Sequence, residues 1–142
     1  GGTKVGALFG EAVVIKNPEL AQDFRYLIKQ NGGMLAKGRL LGLQFDALFT
    51  DGLYQEISAH AIAMAEKLRE AFTAKGYTYL APNRTNQIFV IVPDAHLAKI
   101  SEQFEYSYDQ RIDVAHSCVR FCTSWATKEE NVDALIRCVE KL

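Results

Sequence analysis

Leu53, Ile57, Ala61, Met64, Leu68 and Phe72 recur at helical spacing over about six turns. No other feature limits the fold of this chain as strongly. Gly76 follows the last of them and suits the left-handed residue that closes a helix. Glu56, Glu66, Lys67, Arg69, Glu70 and Lys75 make the opposite face polar and solvated. A helix with one long apolar stripe needs a layer to pack against, and after Gly76 the pattern changes to strands. Tyr77 to Leu80 reads as a short strand. Gln87 to Val92 is apolar almost throughout, which predicts a central strand buried on both faces. Pro93-Asp94 restarts a helix with Asp94 as N-cap, running to about Phe104. Tyr106 to Tyr108 and Arg111 to Val114 read as edge strands around an Asp109-Gln110 turn, and Ser117 to Thr123 as a further strand. Thr127 and Glu130 have capping-box spacing, and the helix they open places Val132, Leu135, Ile136 and Val139 on one face. The expectation is an α/β chain with an α+β small domain, its helices packed on a small, mostly antiparallel sheet.

Upstream of residue 53 the organisation differs. Ala12-Val13-Val14-Ile15 predicts a short buried strand over Glu11 to Lys16, with its pairing partner missing. Asn17-Pro18-Glu19 combines an N-cap, a first-turn proline and an early acid, and predicts a helix running to about Gln30. Its apolar face is Leu20, Phe24, Leu27 and Ile28. Asn31-Gly32-Gly33 breaks it, and a second helix is expected from near Met34. Leu40 to Phe49 is apolar nearly all round, which predicts burial on most sides. Two settings would do that: the core of this chain, or another subunit or missing domain. Thr50-Asp51-Gly52 is the next stop, with Asp51 as N-cap of the long helix. A domain boundary is expected there, dividing 1–50 from 51–142.

Charge and cysteine content narrow the function. With 16 Lys and Arg against 17 Asp and Glu the net charge is −1, unlike the basic surface a nucleic-acid partner demands. No apolar run is long enough to span a bilayer, and no basic segment followed by an apolar one opens the chain, so a cytoplasmic protein is expected. The three cysteines, Cys118, Cys122 and Cys138, are odd in number and lack Cys-x-x-Cys spacing, which predicts reduced thiols. His116, Cys118 and Cys122 on one strand fall short of the four ligands of a closed zinc site, so no metal is expected. His60 beside the long apolar stripe reads as a packed or half-exposed histidine.

Two residues stand in settings that suit chemistry. Lys4 lies in the glycine-rich turn Gly1-Gly2-Thr3-Lys4, ahead of Val5-Gly6-Ala7-Leu8-Phe9-Gly10. Small residues let the backbone approach a ligand closely, and a lysine there, shielded from water, is a nucleophile for a carbonyl cofactor. The alternative is an ordinary solvated charge. Arg120 alternates with Val119 and Phe121, which puts it with Cys118 and Cys122 on one strand face. Small neighbours leave room for a carboxylate, which a guanidinium grips bidentately. The alternative is a surface ion pair. Thr85 and Asn86 read as turn chemistry before a strand rather than as substrate contacts.

Four segments in order carry a resemblance: Gly1 to Ile15, Gly32-Gly33-Met34 through Gly42, Thr85-Asn86-Gln87-Ile88-Phe89, and Val119-Arg120-Phe121-Cys122-Thr123. Together they resemble the threonine aldolase and β-eliminating lyase family, pyridoxal phosphate enzymes of the aspartate-aminotransferase fold type I. The resemblance spans essentially the whole chain. It implies a C-terminal small domain, preceded by the tail of the cofactor domain. It implies that Lys4, with Thr3 beside it, holds pyridoxal phosphate, and that Arg120 binds the carboxylate of a small amino-acid substrate. Where many threonine aldolases carry an arginine after Gly-Gly-Met, this chain has Leu35, and Lys37 or Arg39 is expected to reach the cofactor phosphate instead. The implied reaction is cleavage of a 3-hydroxy-amino acid such as threonine to glycine and an aldehyde. β-Elimination from another amino acid and a non-catalytic oligomerising fragment are the alternatives. The family's phosphate cup, pyridine-nitrogen carboxylate and ring-stacking residue all precede its lysine, so the missing N-terminal part of the same enzyme is an expected partner. A homo-oligomer, dimer or tetramer, is expected too.

Overall fold

The computed structural model describes residues 1–142, which form two units, Gly1–Glu56 and Ile57–Leu142. In the first, Thr3–Val5 makes one 3₁₀ turn. Residues 11–16 form no strand, and Val13 and Val14 are exposed. The β-branched run is there, but no segment of the chain pairs with it, and an unpaired strand leaves its backbone groups unsatisfied. Asn17 caps helix α1 (Pro18–Ala21) as expected, its Oδ1 accepting from the Glu19 amide at 2.9 Å. The expected long helix then breaks. Asp23 takes a left-handed conformation (φ 57°), and α2 (Phe24–Gln30) starts afresh after it. Aspartate tolerates that region better than most residues, which helical periodicity alone does not register.

Gly32, at φ 74°, ends α2 as predicted. Helix α3 (Arg39–Phe49) starts five residues later than expected, after the turn through Gly38. Of its apolar residues only Leu48 is buried, whereas Leu40, Leu43 and Phe49 are more than half exposed. Burial on most sides is therefore not met within the chain, and the part of α3's apolar surface made by Leu40, Leu43 and Phe49 faces outward. Asp51 is not the cap of the next helix. It sits at φ 52° in a turn, and the Gly52 carbonyl accepts the first-turn bond from the Glu56 amide.

Helix α4 (Leu53–Ala74) buries Ala61, Met64, Ala65, Leu68 and Phe72, the predicted stripe. It ends as predicted at Gly76 (φ 86°), where the Gly76 amide donates to Thr73 and the Tyr77 amide to Phe72. These paired bonds satisfy two otherwise orphaned carbonyls. Strands β1 (Thr78–Tyr79), β2 (Gln87–Pro93), β3 (Ser107–Arg111) and β4 (His116–Cys122) form one antiparallel sheet in the order β1-β2-β4-β3. Helices α5 (Asp94–Ile100) and α6 (Glu129–Glu140) complete the layer. Phe72 lies at the centre of the core, its ring 5.4 Å from that of Phe121 and 5.8 Å from that of Tyr77. Ile88, Val90, Val92, Val119, Val132, Leu135 and Val139 belong to the same buried cluster.

Four local expectations are corrected here. β2 is buried on one face only: Ile88, Val90 and Val92 are covered, while Gln87, Phe89 and Ile91 are half-buried. The core of this unit lies on one face of the sheet. Residues 107–111 form one strand with a bulge at Tyr108–Gln110 where a turn was expected. The turn comes later, closed by Asp113, whose Oδ1 accepts from the Ala115 and His116 amides at 2.8 Å. Asp94 opens α5 as its first residue, not its cap, and α5 ends at Ile100. Its carboxylate is engaged by Ser117 Oγ at 2.7 Å and Arg111 at 2.9 Å. The Thr127–Glu130 capping box does not form. The Thr127 hydroxyl accepts instead from the Ser124 amide at 2.9 Å, closing the turn before α6.

Candidate active site

Lys4 is carried by a loop that the backbone closes on itself. The Gly2 amide donates to the Gly10 carbonyl at 3.2 Å, and the Ala7 amide to the Gly2 carbonyl at 3.0 Å. Gly6 (φ 93°) and Gly10 (φ 105°) make the reversals, in conformations open to glycine. Val5 and Ala7 are buried, so the turn is anchored from below. It is also seated on α3. The Leu8 amide donates to Gln44 Oε1 at 2.7 Å. A side chain at Gly10 would meet Leu41 at 2.5 Å and Phe45 at 3.3 Å, and one at Gly2 would meet Ala7 at 2.7 Å. Glycine is favoured at Gly10 by its backbone conformation and at Gly2 by the close approach of Ala7 Cβ. The Lys4 side chain is exposed, so the shielding expected for it is not provided by this chain. Thr3, Lys37 and Arg39 are also exposed, Arg39 as the first residue of the helix on which the Lys4 loop rests.

Arg120 belongs to the second unit. Alternation in β4 works as read: Val119 and Phe121 enter the core, and Arg120 lies on the other face, half-buried. The sheet register puts Phe89 opposite it on β2 and Ser107 on β3. Its NH1 donates to Gln87 Oε1 at 3.4 Å. Arg69 and Arg111, by contrast, each meet a carboxylate, Glu66 at 2.7 Å and Asp94 at 2.9 Å. A cleft of about 370 Å³ opens near this end of β4, with Arg120, Ser107, Thr123 and Asn131 among its lining.

The neighbouring polar residues hold structure. Thr85 Oγ1 accepts from the Gln87 amide at 3.2 Å, and Asn86 Nδ2 donates to the Thr123 carbonyl at 2.7 Å. Both are strand-entry contacts, as expected. Thr123 is buried and its hydroxyl donates to the Ala61 carbonyl at 2.7 Å, tying β4 to α4. Burial, and secondarily the charge of Asp109, pushes the Cys118 thiol above its ordinary range. It is therefore poorly suited to act as a thiolate. The Ser117 hydrogen bond, then Arg111, holds the Asp94 carboxyl below the usual range. Asp113 is lowered first by the Ala115 amide and then by His116. His60 is exposed, with Nε2 2.8 Å from the Thr127 carbonyl. Sequence reasoning missed Gln87. Its signal was available in the alternation of β2, which puts it on the face that carries Arg120.

The second unit is thus a four-stranded antiparallel sheet with its core on one face and Arg120 on the other. No protein-family model matches the chain. A low specificity L-threonine aldolase of Pseudomonas sp. (strain NCIMB 10558) is 31% identical over 136 residues, covering 95% of this chain and 38% of its own. The low specificity L-threonine aldolase of Pseudomonas aeruginosa is 29% identical over 138 residues, covering 96% of this chain and 39% of its own. The solved structure of Leishmania major threonine aldolase superimposes with a TM-score of 0.80 at 34% identity, over 89% of this chain and 37% of that one. In sequence and in fold, the chain matches the C-terminal portion of threonine aldolases. It spans under two-fifths of the length of these curated relatives. No helix is long and apolar enough to cross a membrane.

Proposed function

We propose that this chain is the C-terminal portion of a pyridoxal phosphate-dependent lyase that cleaves the Cα–Cβ bond of threonine-like 3-hydroxy-amino acids. The observation that carries the reading is the match over 95% of the chain to an enzyme called a low specificity L-threonine aldolase. The residues present fit the cofactor. Lys4 offers an amine on a loop fixed by the Gly2–Gly10 bond and by α3, and the shielding it needs would come from outside this chain. Bound pyridoxal phosphate supplies an electron sink for the pair released at Cα. Lys4 would hold the cofactor through its amine, and that amine, once free, would be available to move a proton at Cα. Thr3 flanks it. Lys37 or Arg39 would supply a cationic contact for the phosphate. Arg120 would grip the substrate carboxylate and so orient the substrate for reaction.

The rest of the enzyme completes the site and covers the apolar surface of α3. The exposure of Leu40, Leu43 and Phe49 supports burial against that part or against another subunit of a dimer or tetramer. The test is product analysis with the full-length protein and threonine. Glycine and acetaldehyde in equal amounts support the reading. Release of ammonia and a 2-oxo acid without glycine would replace it with elimination.

A further inference from the structure

Arg120 is an arginine held by a neutral group. Its NH1 meets Gln87 Oε1 at 3.4 Å, whereas Arg69 and Arg111 are each matched to a carboxylate. A guanidinium has donors only, so the amide must present its oxygen. That contact orients the fork without cancelling its charge, and leaves the other N–H groups available. Gln87 is itself well placed to orient. It is the first residue of β2, its Cα pairs with Cys122, and its amide donates to Thr85 Oγ1 at 3.2 Å. Phe89 and Ser107, opposite Arg120 on the two neighbouring strands, add no charge, and Glu105, which lines the same cleft, forms no ion pair with it.

We propose that Gln87 is the positioning residue for Arg120, and that its neutrality keeps the guanidinium charge available to a substrate carboxylate. This inference rests on the proposed function. A glutamate at this position would pair with Arg120 and compete with substrate. An apolar residue would leave the guanidinium free to turn. Gln87 would then influence substrate affinity without touching substrate.

The experiment uses full-length protein loaded with pyridoxal phosphate, comparing wild type with Gln87→Glu and Gln87→Leu. Glycine is titrated and binding is followed by the change in cofactor absorbance. Glycinamide, which has the amine but no carboxylate, is the control probe. Both variants are near the size of glutamine, and cofactor content reports that the site is assembled. The expected result is glycine binding weakened roughly ten-fold in Gln87→Leu, the scale of a lost hydrogen bond to a charged group, and further in Gln87→Glu. Glycinamide binding stays within about two-fold of wild type in both. For threonine cleavage, KM rises more than kcat falls. Equal loss for glycine and glycinamide, or no loss for either, overturns the role of Gln87 while leaving the proposed function in place. A wild-type cofactor spectrum unmoved by glycine overturns the functional reading, and this inference with it.

Discussion

Gly10→Ala tests whether the closed loop is what holds Lys4 in place. Gly10 has φ 105°, outside the small left-handed region that other residues visit. Forcing alanine there costs about 1–3 kcal/mol. Its methyl would also lie 2.5 Å from Leu41 Cδ2 and 3.3 Å from Phe45. Leu41 Cδ2 is the tip of a flexible side chain, so the overpacking cost falls at the low end, about 1 kcal/mol. The sum, about 2–4 kcal/mol, acts on the closed loop alone. Because the Ala7 amide donates to the Gly2 carbonyl within that loop, its hydrogen exchange reports opening directly. Exchange at Ala7 should accelerate roughly 30- to 1,000-fold, and cofactor content should fall. Gly42→Ala is the control. That glycine is inside α3 with nothing within 4 Å of an added Cβ, so alanine should stabilise the helix by about 0.5–1 kcal/mol. Unchanged Ala7 protection in Gly10→Ala would refute the argument that glycine at this point secures the Lys4 loop.

Phe72→Ala removes a fully buried ring from between Phe121 and Tyr77, and should destabilise the Ile57–Leu142 unit by about 3–5 kcal/mol in denaturant unfolding. Asp94 and Asp113 both have folded-state values below the ordinary carboxylate range. Their contribution to stability is fully present above about pH 4, where the unfolded carboxylates are also ionised, and is lost as pH falls through the lowered folded values. Asp94→Asn should therefore flatten the acid limb of the stability–pH curve. Arg120→Leu should raise KM for threonine at least about ten-fold, as expected for loss of a charged hydrogen bond, with cofactor content unchanged.

What could be read from the sequence was set by local chemistry. The α4 stripe from Ala61 to Phe72 and its Gly76 closure depend on side-chain spacing and one permissive residue. The β4 alternation that separates Arg120 from Val119 and Phe121 is equally local. The errors arose where partners decide. The run Ala12 to Ile15 has strand chemistry and no pairing segment in this chain. Thr127 had two possible partners, and the Ser124 amide took the hydroxyl from the capping box. Asp109 looked like a turn residue but is accommodated by a bulge, because β3 continues along β4 on either side. Lys4 and Arg120 were legible as candidates from their local settings and the resemblance, and Gln87 only through the geometry of neighbouring strands.

The most direct test of the account is the intact mass of the full-length protein before and after borohydride reduction, followed by peptide mapping. The expected result is a cofactor-sized adduct, fixed by reduction, on the peptide containing Lys4, and its loss in Lys4→Ala. An adduct on another lysine, or full turnover of threonine by Lys4→Ala, would contradict it.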